Sequence, residues 1–220
     1  MELVDIGVSK SPVGNGVRVQ VPPAAQIKAI DKKVLAYIVG IALGDGNLSS
    51  PNKRVTRLRI SCDERYPAIA EEIITALKQL LPHNKVSIVR RKHQNCFDIS
   101  VYSKALDEWM PWKVGQGSKA KQEARVPVWI RKNQLYTEEC LRGLIQTDGC
   151  IYKDRGYQMV NFVNNSRLLA EDTRDMLSEL GYRPKFNLLK LSSGKIKYTV
   201  KVSRTVEVAR LLQTIGLHKS

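Results

Sequence analysis

Histidine and closely spaced cysteine are scarce in this sequence. Its 220 residues contain three histidines, His83, His93 and His218, none in a recognisable catalytic or ligand spacing. The four cysteines, Cys62, Cys96, Cys140 and Cys150, are widely spaced and form no C-x-x-C pair. That excludes a zinc finger, argues against a disulfide framework, and fits a reducing intracellular compartment, the cytoplasm or a DNA-containing organelle. A His-dependent nuclease or a Ser-His-Asp hydrolase would have to be assembled from three unsupported histidines, so any chemistry is expected to rest on carboxylates. No apolar run approaches the ~18 residues of a membrane span. The opening residues, with Glu2 and Asp5, lack the apolar segment of a secretory signal. Acidic residues are also short in supply: 21 Asp and Glu stand against 36 Lys and Arg, a net charge of +15. Such a surplus points to a polyanionic partner, nucleic acid or an anionic membrane surface. No segment reads as a basic, strongly amphipathic helix, which disfavours the membrane.

Apolar side chains make up 43% of the chain, enough for a core in one large domain or two small ones. Residues 1–30, with Pro12, Gly14, Gly16 and Pro22-Pro23, read as an extended arm or an extra strand. Hydrophobic periodicity then predicts a helix over 31–44 with Asp31 as N-cap, a strand over 54–62 and a helix over 66–81. Strands over 85–92 and 96–102 and a helix near 104–112 follow. The order is replayed by a helix at 137–147, strands at 150–153 and 158–163, and a helix at 166–180. Strands at 185–191 and 195–203 and a helix at 205–215 complete it. Ala70-Glu71-Glu72 faces Ala170-Glu171-Asp172, and Lys85-Val86-Ser87-Ile88 faces Lys185-Phe186-Asn187-Leu188, an ungapped offset of roughly one hundred residues. The expected organisation is a first repeat over 31–112, a connector over 113–136 and a second repeat over 137–220, related by a pseudo-two-fold axis.

The basic residues lie on the strands and the acidic ones on the helices between them. Seven basic residues and no acidic one fall between Arg183 and Arg204. Period-2 alternation puts Leu58, Ile60 and Cys62 on one face of their strand and Arg57, Arg59 and Ser61 on the other. Phe97, Ile99 and Val101 likewise oppose Asp98, Ser100 and Tyr102, and Tyr198, Val200 and Val202 oppose Lys197, Thr199 and Lys201. One face of each sheet is expected to pack on helices. The other presents Asn47, Ser49, Arg57, Arg59, Ser61, Ser87, Arg91, Asp98, Ser100 and Tyr102 in the first half. In the second it presents Tyr152, Asn161, Lys185, Asn187, Lys197, Thr199 and Lys201. Lysine and arginine attract phosphates irrespective of sequence, while Arg, Asn, Ser and Asp read base edges, so double-stranded DNA is the expected partner. Val89 and Leu189 fall on that outward face against the pattern.

The helices that open the two repeats end alike, Gly40-Ile41-Ala42-Leu43-Gly44-Asp45-Gly46 and Gly143-Leu144-Ile145-Gln146-Thr147-Asp148-Gly149. The earlier glycine permits close approach of two helix backbones, and the last suits a left-handed C-cap. Between them an aspartate stands at the negative end of the helix dipole, where a carboxylate is disfavoured by about 0.3–1 kcal/mol. Two such residues in matching positions call for a cation. Asp45 and Asp148, with the carbonyl oxygens of Gly44 and Thr147, are hard ligands suited to Mg²⁺. Divalent ions held there can activate water and stabilise the leaving oxygen in phosphodiester hydrolysis.

The segments Ile38–Gly46 (IVGIALGDG) and Leu141–Gly149 (LRGLIQTDG) resemble two copies of the LAGLIDADG motif. Over residues 31–220 the chain resembles a single-chain LAGLIDADG homing endonuclease. Leu43 and Gln146 depart from the pattern at the motif's first acid, whereas the second acid stands in both copies. The resemblance implies an α+β fold of two pseudo-symmetric αββαββα repeats, each with a curved antiparallel sheet forming half of a DNA-binding saddle around central motif helices. It implies a monomer that cleaves long, asymmetric DNA sites with 3′ overhangs. Asp45 and Asp148 would hold Mg²⁺, Mn²⁺ would substitute, and Ca²⁺ would support binding without cleavage. It further implies a basic residue near each scissile phosphate, Lys119 (in preference to Lys121) and Lys219, and water-orienting residues at Glu64 and Asn164. The chain ends predict a free-standing, intron-encoded enzyme rather than an intein. The alternative is an intron-RNA-binding splicing cofactor, or a DNA-binding regulator on the same scaffold that does not cleave.

Overall fold

The computed structural model describes residues 30–91 and 94–216. The arm expected over 1–30 and the candidate Lys219 therefore lie essentially outside the described residues. The first half runs α1 (Lys32–Asp45), β1 (Gly46–Ser49), β2 (Arg57–Asp63), α2 (Pro67–Leu80), β3 (Ser87–Arg90), β4 (Cys96–Tyr102) and α3 (Leu106–Trp109). After α4 (Val128–Arg131) in the connector, the second half runs α5 (Gln134–Asp148), β5 (Gly149–Asp154), β6 (Tyr157–Asn164), α6 (Arg167–Glu179), β7 (Lys185–Lys190), β8 (Ile196–Val202) and α7 (Thr205–Ile215). The strands form two four-stranded antiparallel sheets ordered β1-β2-β4-β3 and β5-β6-β8-β7. The fold is α+β, with two αββαββα repeats.

Local chemistry sets the boundaries. Asp31 caps α1 by accepting from the amides of Lys33 and Val34 at 3.0 and 3.3 Å. Asn133 accepts from the amide of Tyr136 at 3.2 Å, which starts α5 ahead of the expected residue 137. Ser166 caps α6 through the amide of Leu169. The helix expected near 104–112 is a single turn, because Met110 precedes Pro111 and is extended at φ −89°, ψ 136°. Strand β1 was not foreseen, its four residues being too short to show alternation. Neither motif-ending glycine is a left-handed cap. Gly46 (φ −78°) and Gly149 (φ −95°) are extended and lead directly into β1 and β5. Their constraint is steric: a Cβ on Gly46 would stand 2.6 Å from Ala42 Cα, and one on Gly149 would stand 2.7 Å from Ile145 Cα.

Helices α1 and α5 pack side by side at the centre. A Cβ on Gly143 would lie 2.6 Å from both Tyr37 O and Ile41 N, and one on Gly40 would collide with the carbonyl of Cys140. These two positions let the backbones touch. Around the pair, the inner sheet faces and helices α2, α6 and α7 bury Leu58, Ile60, Ile99, Phe162, Val200 and their neighbours in one core.

The pseudo-symmetry is real but its offset is not constant. Gly46 pairs with Ile60 and Gly149 with Phe162; Ile60 pairs with Ile99 and Phe162 with Val200; Ile99 pairs with Ile88 and Val200 with Phe186. Ile88 thus corresponds to Phe186 and Ser87 to Lys185, two residues away from the ungapped match that helices α2 and α6 keep. A shift of two preserves the strand period, so each residue stays on its expected face.

The inter-repeat connector is fastened rather than loose. Arg125 and Arg131 both reach the fully buried carboxylate of Asp172 on α6, Arg125 at 2.6 Å, and the amide of Val126 donates to it at 2.9 Å. In the first repeat Glu72, on α2, is the matching carboxylate. It accepts from Gln146 at 2.9 Å and from Tyr37 at 3.2 Å, and it also pairs with Arg142.

Candidate active site and nucleic-acid interface

Because α1 and α5 run together, their last residues, Asp45 and Asp148, meet at one end of the central pair. Asp45 is exposed and Asp148 half-buried. Asp148 abuts the end of α1 closely: a Cβ built on Gly44 would lie 3.3 Å from its Oδ2. Lys119, reaching in from the connector, supplies a cation at this end. Its Nζ donates to the carbonyl oxygens of Leu43 at 2.6 Å and Ala42 at 3.0 Å, and to that of Gly44. The ammonium lies 5.4 Å from the centre of the Trp112 ring. Burial pulls its pKa down, and the carboxylates of Asp148 and then Asp45 pull it part of the way back, leaving it at about 8.

The oxygen atoms at this place fit a hard divalent cation. Lys119 shows that the carbonyls ending α1 converge on positive charge, and Asp45 and Asp148 add carboxylates beside them. Among the described residues no cluster of three or more His, Cys, Asp or Glu could hold a metal. A metal held here would draw on the two carboxylates and main-chain oxygens, an open set of hard donors. That suits Mg²⁺ better than a closed protein cage. The Thr147 hydroxyl donates back to its own helix, to Gly143 and Leu144 at 3.0 Å.

The surroundings of the two aspartates differ. Asn164 Nδ2 donates to Asp148 Oδ2 at 2.7 Å. Sheet register makes Cys62, and not Glu64, the counterpart of Asn164. Glu64 faces Arg90 instead, at 3.9 Å. The Cys62 thiol is pushed up to about 12 by burial and by the carboxylates of Asp45 and Asp98. Asp45 and Cys62 line a cavity of about 300 Å³ with Asp63, Arg65, Gln146 and Cys150.

The candidate DNA-contacting residues share one face of each sheet. In the first, Asn47 stands opposite Arg59, Ser49 opposite Arg57, Ser61 opposite Asp98, and Ser87 and Arg59 flank Ser100. Arg57 leads on to Tyr102. In the second, Asn161 and Lys185 flank Lys201, Asn187 pairs with Thr199, Leu189 with Lys197, and Tyr152 with Met159. Val89 and Leu189 do lie on this face, both exposed. Asp98 and Ser100 depart from expectation, being 7% and 9% exposed. Arg91 folds across the strand and grips Asp98 at 2.7 and 3.0 Å, covering it. Burial raises the Asp98 carboxyl, but hydrogen bonds from Arg91 and Ser61 and the charges of Arg91 and Arg59 outweigh this and hold it below the usual range.

Residues 136–216 match the family model of the LAGLIDADG-like domain, and residues 34–106 that of the WhiA LAGLIDADG-like domain. The chain is a two-motif LAGLIDADG protein. No curated protein matches it. Among solved structures this LAGLIDADG chain resembles I-DmoI in complex with DNA and Mn (20% identity, 85% of this chain and 98% of that one, TM-score 0.62). It also resembles I-DmoI in complex with DNA and Ca (20%, 85% and 91%, 0.60) and the N-terminal LAGLIDADG domain of DUF199/WhiA (13%, 86% and 84%, 0.57). At such identities the likeness establishes the fold. Among the described residues of the LAGLIDADG chain, no helix is long and apolar enough to cross a membrane.

Two groups of residues at the site were not foreseen. Cys62 becomes visible only through register. The buried linkage of Tyr37 and Gln146 (2.8 Å) to Glu72 and Arg142 joins the motif helices to α2; its only outward sign was a glutamine and a tyrosine on buried stripes.

Proposed function

We propose that this LAGLIDADG chain is a site-specific double-strand DNA endonuclease that acts as a monomer, uses divalent metal and leaves 3′ overhangs. The observation that supports this most is the meeting of Asp45 and Asp148 at adjacent helix ends beside Lys119, between two cationic sheet faces. On this reading the faces hold DNA, arginine and lysine supplying phosphate affinity and the remaining polar side chains sequence choice. Asp45 and Asp148, with the Gly44 and Thr147 carbonyls, would hold Mg²⁺ or Mn²⁺. The metal supplies Lewis-acid polarisation of the scissile phosphate and a water of lowered pKa. Lys119, seated on the α1 carbonyls, adds positive charge on the side of the same phosphate. Asn164 fixes the orientation of the Asp148 carboxylate.

The test is incubation of the full chain with a double-stranded target library in Mg²⁺, Ca²⁺ or EDTA. Double-strand cuts in Mg²⁺, and binding without cuts in Ca²⁺, are expected. The WhiA-like match over residues 34–106 favours a second reading, a DNA-binding regulator that does not cleave. Binding without cutting in Mg²⁺ and Mn²⁺ would establish that second reading instead.

A further inference from the structure

The outward faces of the two sheets are chemically unlike. Three arginines stand on the first, and each is held in place by protein neighbours. Arg57 Nε donates to Ser49 at 3.0 Å, Arg91 grips Asp98 with two nitrogens, and Arg59 lies 4.0 Å from the same carboxylate. Fixed guanidinium groups lose little freedom on binding, and Arg57 and Arg59 keep an open edge of the forked donor geometry, whereas Arg91 spends Nε and Nη2 on Asp98 and Ser61. On the second sheet, strands β5 to β8 contain no arginine at all. Their outward cations are Lys185, Lys197 and Lys201, which act as point charges without a fork.

Apolar side chains stand beside these lysines, with Asn187 and Thr199 between them. Met159 pairs with Tyr152 and Leu189 with Lys197 on the outward face, and Leu189 is 51% exposed. Asn161 stands on the same face beside Lys201, but its Oδ1 is buried, so it does not present a complete amide outward. The first sheet has Val89 as its only outward aliphatic residue. In the major groove, a guanidinium fork matches guanine O6 and N7, an Asn amide matches adenine N6 and N7, and apolar groups pack on the thymine methyl.

Resting on the DNA-binding reading above, we infer that the two sheets read half-sites of opposite base composition, guanine-rich under the first and A·T-rich under the second. Arg57 and Arg59 select the guanines. Met159 and Leu189 select thymine methyl groups.

The experiment is selection of bound sites from a randomised double-stranded DNA library by the full chain in Ca²⁺. Base analogues are then placed in the selected site, with the wild-type protein as reader. The expected site has guanines concentrated in one half and A·T pairs in the other. Replacing the guanines of one half with 7-deazaguanine should weaken binding about tenfold per read base. Replacing thymines of the other half with deoxyuridine, which removes only the methyl group, should weaken it several-fold. Arg59→Ala should make binding indifferent to 7-deazaguanine at one guanine only, and Leu189→Ser to part of the second change only. A site with guanines in both halves, or one insensitive to deoxyuridine, overturns this inference and leaves DNA binding standing. Failure to enrich any sequence overturns both.

Discussion

Asn164 donates a hydrogen bond to Asp148 at 2.7 Å, and the register of the sheets puts Cys62 at the corresponding place beside Asp45. The two halves of the site are therefore unequal: one carboxylate is oriented by an amide, and the other lies near a neutral thiol. Asn164→Ala should slow cleavage of one DNA strand about tenfold, as loss of a group that orients a metal ligand does, while the other strand is cut at the wild-type rate. Strand-specific end labels over a cleavage time course give the reading. Equal slowing of both strands would mean that Asn164 acts on the fold rather than on Asp148.

Close approach of the motif helices predicts intolerance of the smallest side chain. Gly143→Ala brings a methyl group 2.6 Å from two backbone atoms of α1, and neither helix has room to withdraw from a buried contact. Destabilisation of about 3 kcal/mol is expected in urea unfolding, and a similar loss for Gly40→Ala. An unchanged unfolding midpoint for either would contradict the packing described.

The parts of this arrangement that were legible in the sequence are those fixed by local rules. Asp45 and Asp148 stood out because a carboxylate at a helix C-terminus is out of place, and the outward faces followed from alternation along β2, β4 and β8. The rest depended on pairing across strands. The burial of Asp98 comes from Arg91 folding back over it from the end of another strand. The Cys62–Asn164 correspondence comes from sheet register, which shifts the repeat offset along the chain. Strand β1 has four residues, too few to display a period. Lys119 was named through family resemblance; its seat on the α1 carbonyls could not be read from its spacing.

Asp98 should leave a signature in acid. Its folded carboxyl titrates below the ordinary value of about 3.9, so its contribution to stability is complete above that value. The contribution is lost as pH falls through the folded value. Asp98→Asn should therefore cost about 1 kcal/mol at pH 6, and the gap between variant and wild type should narrow progressively as pH falls below the ordinary carboxylate range. Thermal melts across that range decide it, and a gap that persists in acid would contradict the Arg91–Asp98 pairing.

The thiols should separate by environment. Cys62, pushed up to about 12, and the fully buried Cys140 should resist iodoacetamide at pH 8 in the folded protein. Exposed Cys150, on the outward face of β5, should be alkylated readily and be protected when DNA is bound. Mass spectrometry of labelled peptides reads both. Labelling of Cys150 at the same rate with and without bound DNA would place the DNA elsewhere.

The most direct measurement is cleavage and binding by Asp45→Asn and Asp148→Asn on a selected DNA site in Mg²⁺. Each substitution keeps the shape of the side chain and removes its charge. Both should abolish double-strand cutting while leaving affinity for the site nearly unchanged. Normal cutting of both strands by either variant would show that the reaction takes place somewhere other than at the ends of α1 and α5.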